Sequence, residues 1–192
     1  MNFLKNRSIR FCLGFFLLLV LTVGGSVAAF ADSGTGATVA VNAGNLSEAG
    51  PANVSAGAVT LDGTDKTTSY DLGLTVTDAR GNSAGWNLTV TSTLFDDGSG
   101  QQLANNASSI NAAPAVACIG THCTNPTSSV PYPTGVPAGA TPPTPVKFFN
   151  AASGSGLGKF TITPTVTISI PANTIAGTYS STVSVAIISG PS

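Results

Sequence analysis

An all-β fold, a β-sandwich or partly closed barrel of about six to nine strands behind a cleaved leader, is predicted by three features of the sequence. Apolar side chains recur at every second residue wherever their spacing is regular. Past residue 31, no stretch keeps helical spacing for more than a turn or two. Clusters of Gly, Pro, Asn and Asp separate the alternating runs, as turns require.

The first residues stand apart from that pattern. Lys5, Arg7 and Arg10 precede an apolar run from Phe11 to Val23, and small residues at Ala29 and Ala31 suit cleavage before Asp32. Residues 1–31 therefore read as a secretory signal peptide, with an apolar run shorter than a membrane span requires. Residues 32–192 then form one domain with no span of its own, long enough to bury a core. That stretch carries Lys66, Arg80, Lys147 and Lys159 against eight acids, which argues against nucleic acid as a partner.

Along the domain, weak strands are expected at 37–41 and 58–61, the second followed by an Asp62-Gly63 turn. Leu72, Leu74 and Val76 alternate with Gly73, Thr75 and Thr77, and Trp86, Leu88 and Val90 alternate with Asn87, Thr89 and Thr91. A hairpin-like loop over 78–85 is expected between them. Two long late strands follow, one from Phe160 to Ile170 and one from Tyr179 to Ile187, with a turn at 171–177 that begins in Pro171 and ends in Gly177. The segment 105–145 holds eight of the twelve prolines and shows almost no apolar period, so it reads as one long excursion.

Cys118 and Cys123 lie inside that excursion, and in an exported chain they predict a local disulfide contributing at most about 2 kcal/mol. A metal site built on both thiolates and His122 would need a fourth ligand, and the chain has no second histidine. Neither a metal nor a cofactor is expected. No nucleophile, base and acid converge in the sequence, because His122 sits in the expected disulfide loop. Asp96 and Asp97 are adjacent, point to opposite faces of an extended chain and precede Gly98-Ser99-Gly100, so they read as turn residues. An enzyme is not expected.

The informative stretch runs from Asp78 through Arg80, Gly81, Asn82 and Gly85 to Trp86-Asn87-Leu88, and it holds the chain's only tryptophan. Pro171, Ala176-Gly177-Thr178-Tyr179, Val183 and Gly190-Pro191 close the chain in a second recognisable pattern. With these residues the sequence resembles the WxL-domain proteins of Gram-positive bacterial surfaces, over nearly the whole of 32–192. It departs in one place: where the family carries a second Trp-x-Leu, this chain has Val185-Ala186-Ile187. The resemblance implies a secreted protein attached non-covalently to the cell wall through peptidoglycan, with other surface proteins as further partners. The residues that would carry attachment are Trp86, Leu88, Arg80, Asp78 and Tyr179. Read from chemistry alone, Trp86 is either core filling or a sugar-stacking ring, and Asp78 with Arg80 is either a turn-stabilising pair or the rim of a site. The other class of function open to this chain is a structural subunit that pairs through exposed β edges, motivated by Thr/Val-rich strands and low charge.

Overall fold

The computed structural model describes residues 37–190. The chain divides into two units, 1–40 and 41–192. Of the first, only 37–40 are described, exposed and without regular structure. The leader expected over 1–31 lies outside the described residues.

The second unit is all-β. Among the described residues it has twelve strands: β1 (Leu46–Ala49), β2 (Lys66–Asp71), β3 (Leu74–Asp78), β4 (Trp86–Thr93), β5 (Ser108–Ile110), β6 (Ala115–Cys118), β7 (Thr134–Val136), β8 (Ala138–Gly139), β9 (Val146–Ala151), β10 (Gly158–Thr163), β11 (Thr165–Ile170) and β12 (Val183–Ser189). They form three sheets, ordered β1-β3-β10-β6, β2-β11-β5-β7 and β12-β4-β8, with β9 also paired to β4. None closes on itself, so the open sandwich prevails over the barrel. The count exceeds the expected range because several strands are only two to four residues long.

Two sheets share one bent ribbon. The antiparallel register that pairs Lys66 with Ile170 and Asp71 with Thr165 continues unbroken to Leu74 with Ile162 and Asp78 with Gly158. At the bend Leu72 N–H donates to the Pro164 carbonyl at 2.9 Å. Pro164 has no N–H to return, so the ladder loses a bond there and the ribbon passes from one sheet to the next. This is why the run from Phe160 to Ile170, read from sequence as one strand, is two.

Three further expectations are corrected. The loop over 78–85 joins β3 in one sheet to β4 in another and so closes no hairpin, while the expected turn at 171–177 is present and leads from β11 to β12 in a different sheet. The strands anticipated at 37–41 and 58–61 are absent, and Val39 and Val41 are almost fully exposed. Strands form instead at Leu46–Ala49 and Lys66–Asp71, where ladder partners exist in β3 and β11. The Pro-rich segment contains β5, β6, β7 and β8, each adding to one of the three sheets. Strands this short cannot display a period.

The core follows the alternation. Leu74 and Val76 of β3, Phe160 and Ile162 of β10, and Trp86, Leu88 and Val90 of β4 are all essentially inaccessible. β4 is covered on its second face as well, partly by the Pro-rich segment: the Thr91 hydroxyl donates to the Pro143 carbonyl at 2.9 Å and Leu94 N–H to that of Gly139 at 3.1 Å. Its register against β9 shifts between Leu88 and Thr89, leaving Phe148 as an extra residue in the ladder. That bulge is what turns the consecutive Phe148 and Phe149 both into the core.

Candidate functional site

Trp86 opens β4 and its ring is completely enclosed, at 0 % exposure. Its Nε1–H donates to the Gly156 carbonyl at 3.0 Å, and the ring meets Phe149 at a centroid separation of 6.0 Å and an interplanar angle of 39°. Gly156 has φ +73°, and a Cβ there would lie 2.6 Å from Trp86 Nε1 and 2.4 Å from the Ala151 methyl. Only glycine lets the backbone come close enough to accept that bond. Leu88, two residues on and equally buried, lies opposite Phe149 on one side and Ile187 on the other. Acrylamide is therefore expected to quench the single tryptophan far less than it quenches a free indole. Quenching that approaches the free value would place the ring at the surface.

Asp78 and Arg80 form a clamp beside it. Arg80 Nε donates to Asp78 Oδ1 at 2.9 Å and Nη2 to Oδ2 at 2.8 Å, a bidentate pair whose carboxylate is sealed from solvent. The same Nη2 donates to the Gly85 carbonyl at 2.8 Å, and Nη1 reaches the Ser189 hydroxyl at the end of β12. One guanidinium thus ties the end of β3, the crossing loop and the last strand together. Its hydrogen bonds hold the Asp78 carboxyl below the ordinary carboxylate range, against the opposing effect of burial. Gly85 is required where the loop passes β9: with φ +74°, a Cβ would stand 2.4 Å from the Ala151 carbonyl oxygen.

Tyr179 lies elsewhere. Half-buried, it donates its hydroxyl to the Ile175 carbonyl at 2.8 Å, holding the turn after β11. This turn and the irregular segment 53–61 flank a cleft of about 870 Å³, whose wall includes Tyr70, Phe95, Leu103 and Ile168. Trp86 and Phe95 bracket β4, which at ~3.3 Å per residue puts them well over 20 Å apart. Of the five residues singled out from sequence, the fold gathers Asp78, Arg80, Trp86 and Leu88 around the start of β4 and leaves Tyr179 at the far end. Tyr70 and Phe95, which complete the cleft, were missed. For Tyr70 a signal existed in the alternation of Thr68, Tyr70 and Leu72.

The family described as "WxL domain surface cell wall-binding" matches residues 34–191 of this chain. The chain belongs to the WxL family. Among curated proteins and among solved structures, none matches it. WxL domains are wall-binding modules of the cell surface rather than enzymes, and membership gives this domain a place on the cell surface in contact with the wall.

Within the WxL domain the place of the second tryptophan motif adjoins the first. Val185 faces Val90 and Ile187 faces Leu88 across the β4–β12 ladder, both half-buried. Other polar groups weighed from sequence are engaged in turns: Asp97 Oδ1 accepts from the amides of Ser99 and Gln101 at 2.8 and 2.9 Å, and Asp96 Oδ2 accepts from Gln102 Nε2 at 2.7 Å. Cys118 and Cys123 form the disulfide, with Cα atoms 6.0 Å apart. Its loop is pinned to the β10 side by Ile119 N–H to Lys159 O and Thr124 N–H to Leu157 O. Among the described residues, no three His, Cys, Asp or Glu side chains come close enough to hold a metal ion, and no helix is long and apolar enough to cross a membrane.

Proposed function

We propose that this WxL domain is exported by a Gram-positive cell through cleavage after Ala31 and is retained outside by non-covalent adsorption to peptidoglycan. The observation that carries the proposal is the family match over 34–191. The basic, apolar and small-residue order of the first 31 residues supports the export route. Adsorption to a repeating polymer needs only weak individual sites, because many copies of the ligand surround each protein. On mixing purified protein with isolated peptidoglycan and centrifuging, most of the protein is expected in the pellet. Protein that stays in the supernatant at every peptidoglycan concentration would reject the proposal.

A second reading, assembly with other surface proteins, is favoured by β12. Among the described residues that strand has a ladder neighbour on one side only, and it carries no charge or proline and exposes Ile188 at 51 %. Such an edge is open to pairing with another strand. Light scattering after size exclusion is expected to show oligomers at high concentration if this edge is used, and a strict monomer would count against it.

A further inference from the structure

We infer that the cleft between segment 53–61 and the turn after β11 is a subsite for a neutral, N-acetylated sugar of the wall glycan. The inference rests on the wall-binding reading and assigns it a place remote from Trp86.

Four properties of the cleft select that ligand. Its volume of about 870 Å³ falls within the ~300–1,000 Å³ of ordinary small-ligand sites. Its wall contains no Asp, Glu, Lys, Arg or His, so nothing there neutralises a phosphate or carboxylate, and the excess of acids over bases in 32–192 repels anionic polymers further. Phe95 and Tyr179 are half-buried and supply ring surface, against which the C–H face of a pyranose can lose its hydration. Tyr70 is the fourth.

Tyr70 is only 7 % exposed as a residue, but its hydroxyl, which makes no hydrogen bond among the described residues, keeps contact with solvent. Burial pushes its pKa up to about 12, so the group stays a neutral donor at any physiological pH. An unpartnered hydroxyl in an uncharged cleft that mixes apolar walls with Ser, Thr and Asn side chains favours a neutral ligand that brings acceptors. The carbonyl of an acetamido group does so, while its methyl group fits beside Leu103 and Ile168. Trp86, by contrast, has its N–H already bonded to Gly156 and offers nothing to a ligand.

The probe is an N-acetylglucosamine tetramer added to purified, methyl-labelled protein and followed by NMR. Saturable shifts are expected at Ile175, Ile168 and Val183, and no comparable shifts with a glucose tetramer, which lacks the acetamido group. Tyr70→Phe keeps the ring and is expected to weaken tetramer binding about tenfold, the equivalent of one hydrogen bond lost. Ile175→Asp, at an exposed rim position, should weaken it as well. Unchanged affinity in Tyr70→Phe, equal response to glucose, or shifts confined to other surfaces would each overturn the assignment. A parallel pelleting assay uses walls before and after removal of their anionic polymers. Retention on the stripped walls supports the inference, whereas loss of retention overturns it. Protein that pellets with walls but ignores the tetramer removes the cleft and leaves the wall-binding reading standing. Protein that binds the tetramer yet never pellets keeps the cleft and removes that reading.

Discussion

Replacing Trp86 by alanine is expected to remove about 4 kcal/mol of stability and lower the melting temperature by roughly 10 °C, without any contact to a ligand being involved. Two losses add. Emptying a fully enclosed indole site leaves a void between Phe149, Ala151 and Gly156 that the flanking strands cannot close, because β4 is held by β9 on one side and β12 on the other. The Gly156 carbonyl also loses the donor it accepts from, in a place where water has no ready access. Trp86→Phe fills most of the space and should cost markedly less. Thermal melts of both variants measure the difference. The consequence for function is specific: Trp86→Phe, still folded, should pellet with walls like the parent. A folded Trp86→Phe that fails to pellet would return the binding role to the tryptophan.

The alternating strands were legible because apolar side chains recur at every second residue of β3, β4, β10 and β11 in runs of five residues or more, even though β4 is buried on both faces. Their partners were less so. Pairing between Lys66–Asp78 and Gly158–Ile170 joins residues about ninety positions apart, and no local feature of either run announces the other. The crossing at 78–85 looked like a hairpin because its glycines and Asn82 meet the local demands of a reversal, whereas the choice of sheet is made by distant strands. β5 to β8 were hidden in the Pro-rich segment for the opposite reason, being two to four residues long and so too short to alternate, even where Ile110 and Val136 enter the core. The site divides along the same line. The Trp86 cluster was visible as a motif and proves to be sealed in the core, while the cleft joins Tyr70, Phe95 and Tyr179 from three separate regions and could emerge only once the sheets were assembled.

Arg80→Met should cost about 3 kcal/mol at neutral pH, since it strands a carboxylate with no exposure of its own. The pH dependence separates this cause from loss of packing. In the parent, the Asp78 pKa in the folded protein lies below its unfolded value, so the pair's contribution is fully present above about pH 4 and is lost as pH falls through the lower, folded value. In Arg80→Met the cation is gone and burial alone remains, which raises the folded pKa above the unfolded one and reverses the sign. That variant therefore recovers stability relative to the parent as the medium is acidified and the stranded carboxyl takes up a proton. Adding Asp78→Asn removes the charge altogether and should restore part of the loss at pH 7 while removing the recovery on acidification that the single variant shows. Denaturant melts of the parent, the single and the double variant between pH 3 and 7 read this directly. A constant gap between Arg80→Met and the parent across that range would mean that Arg80 acts through its contacts with Gly85 and Ser189 rather than through the charge of Asp78.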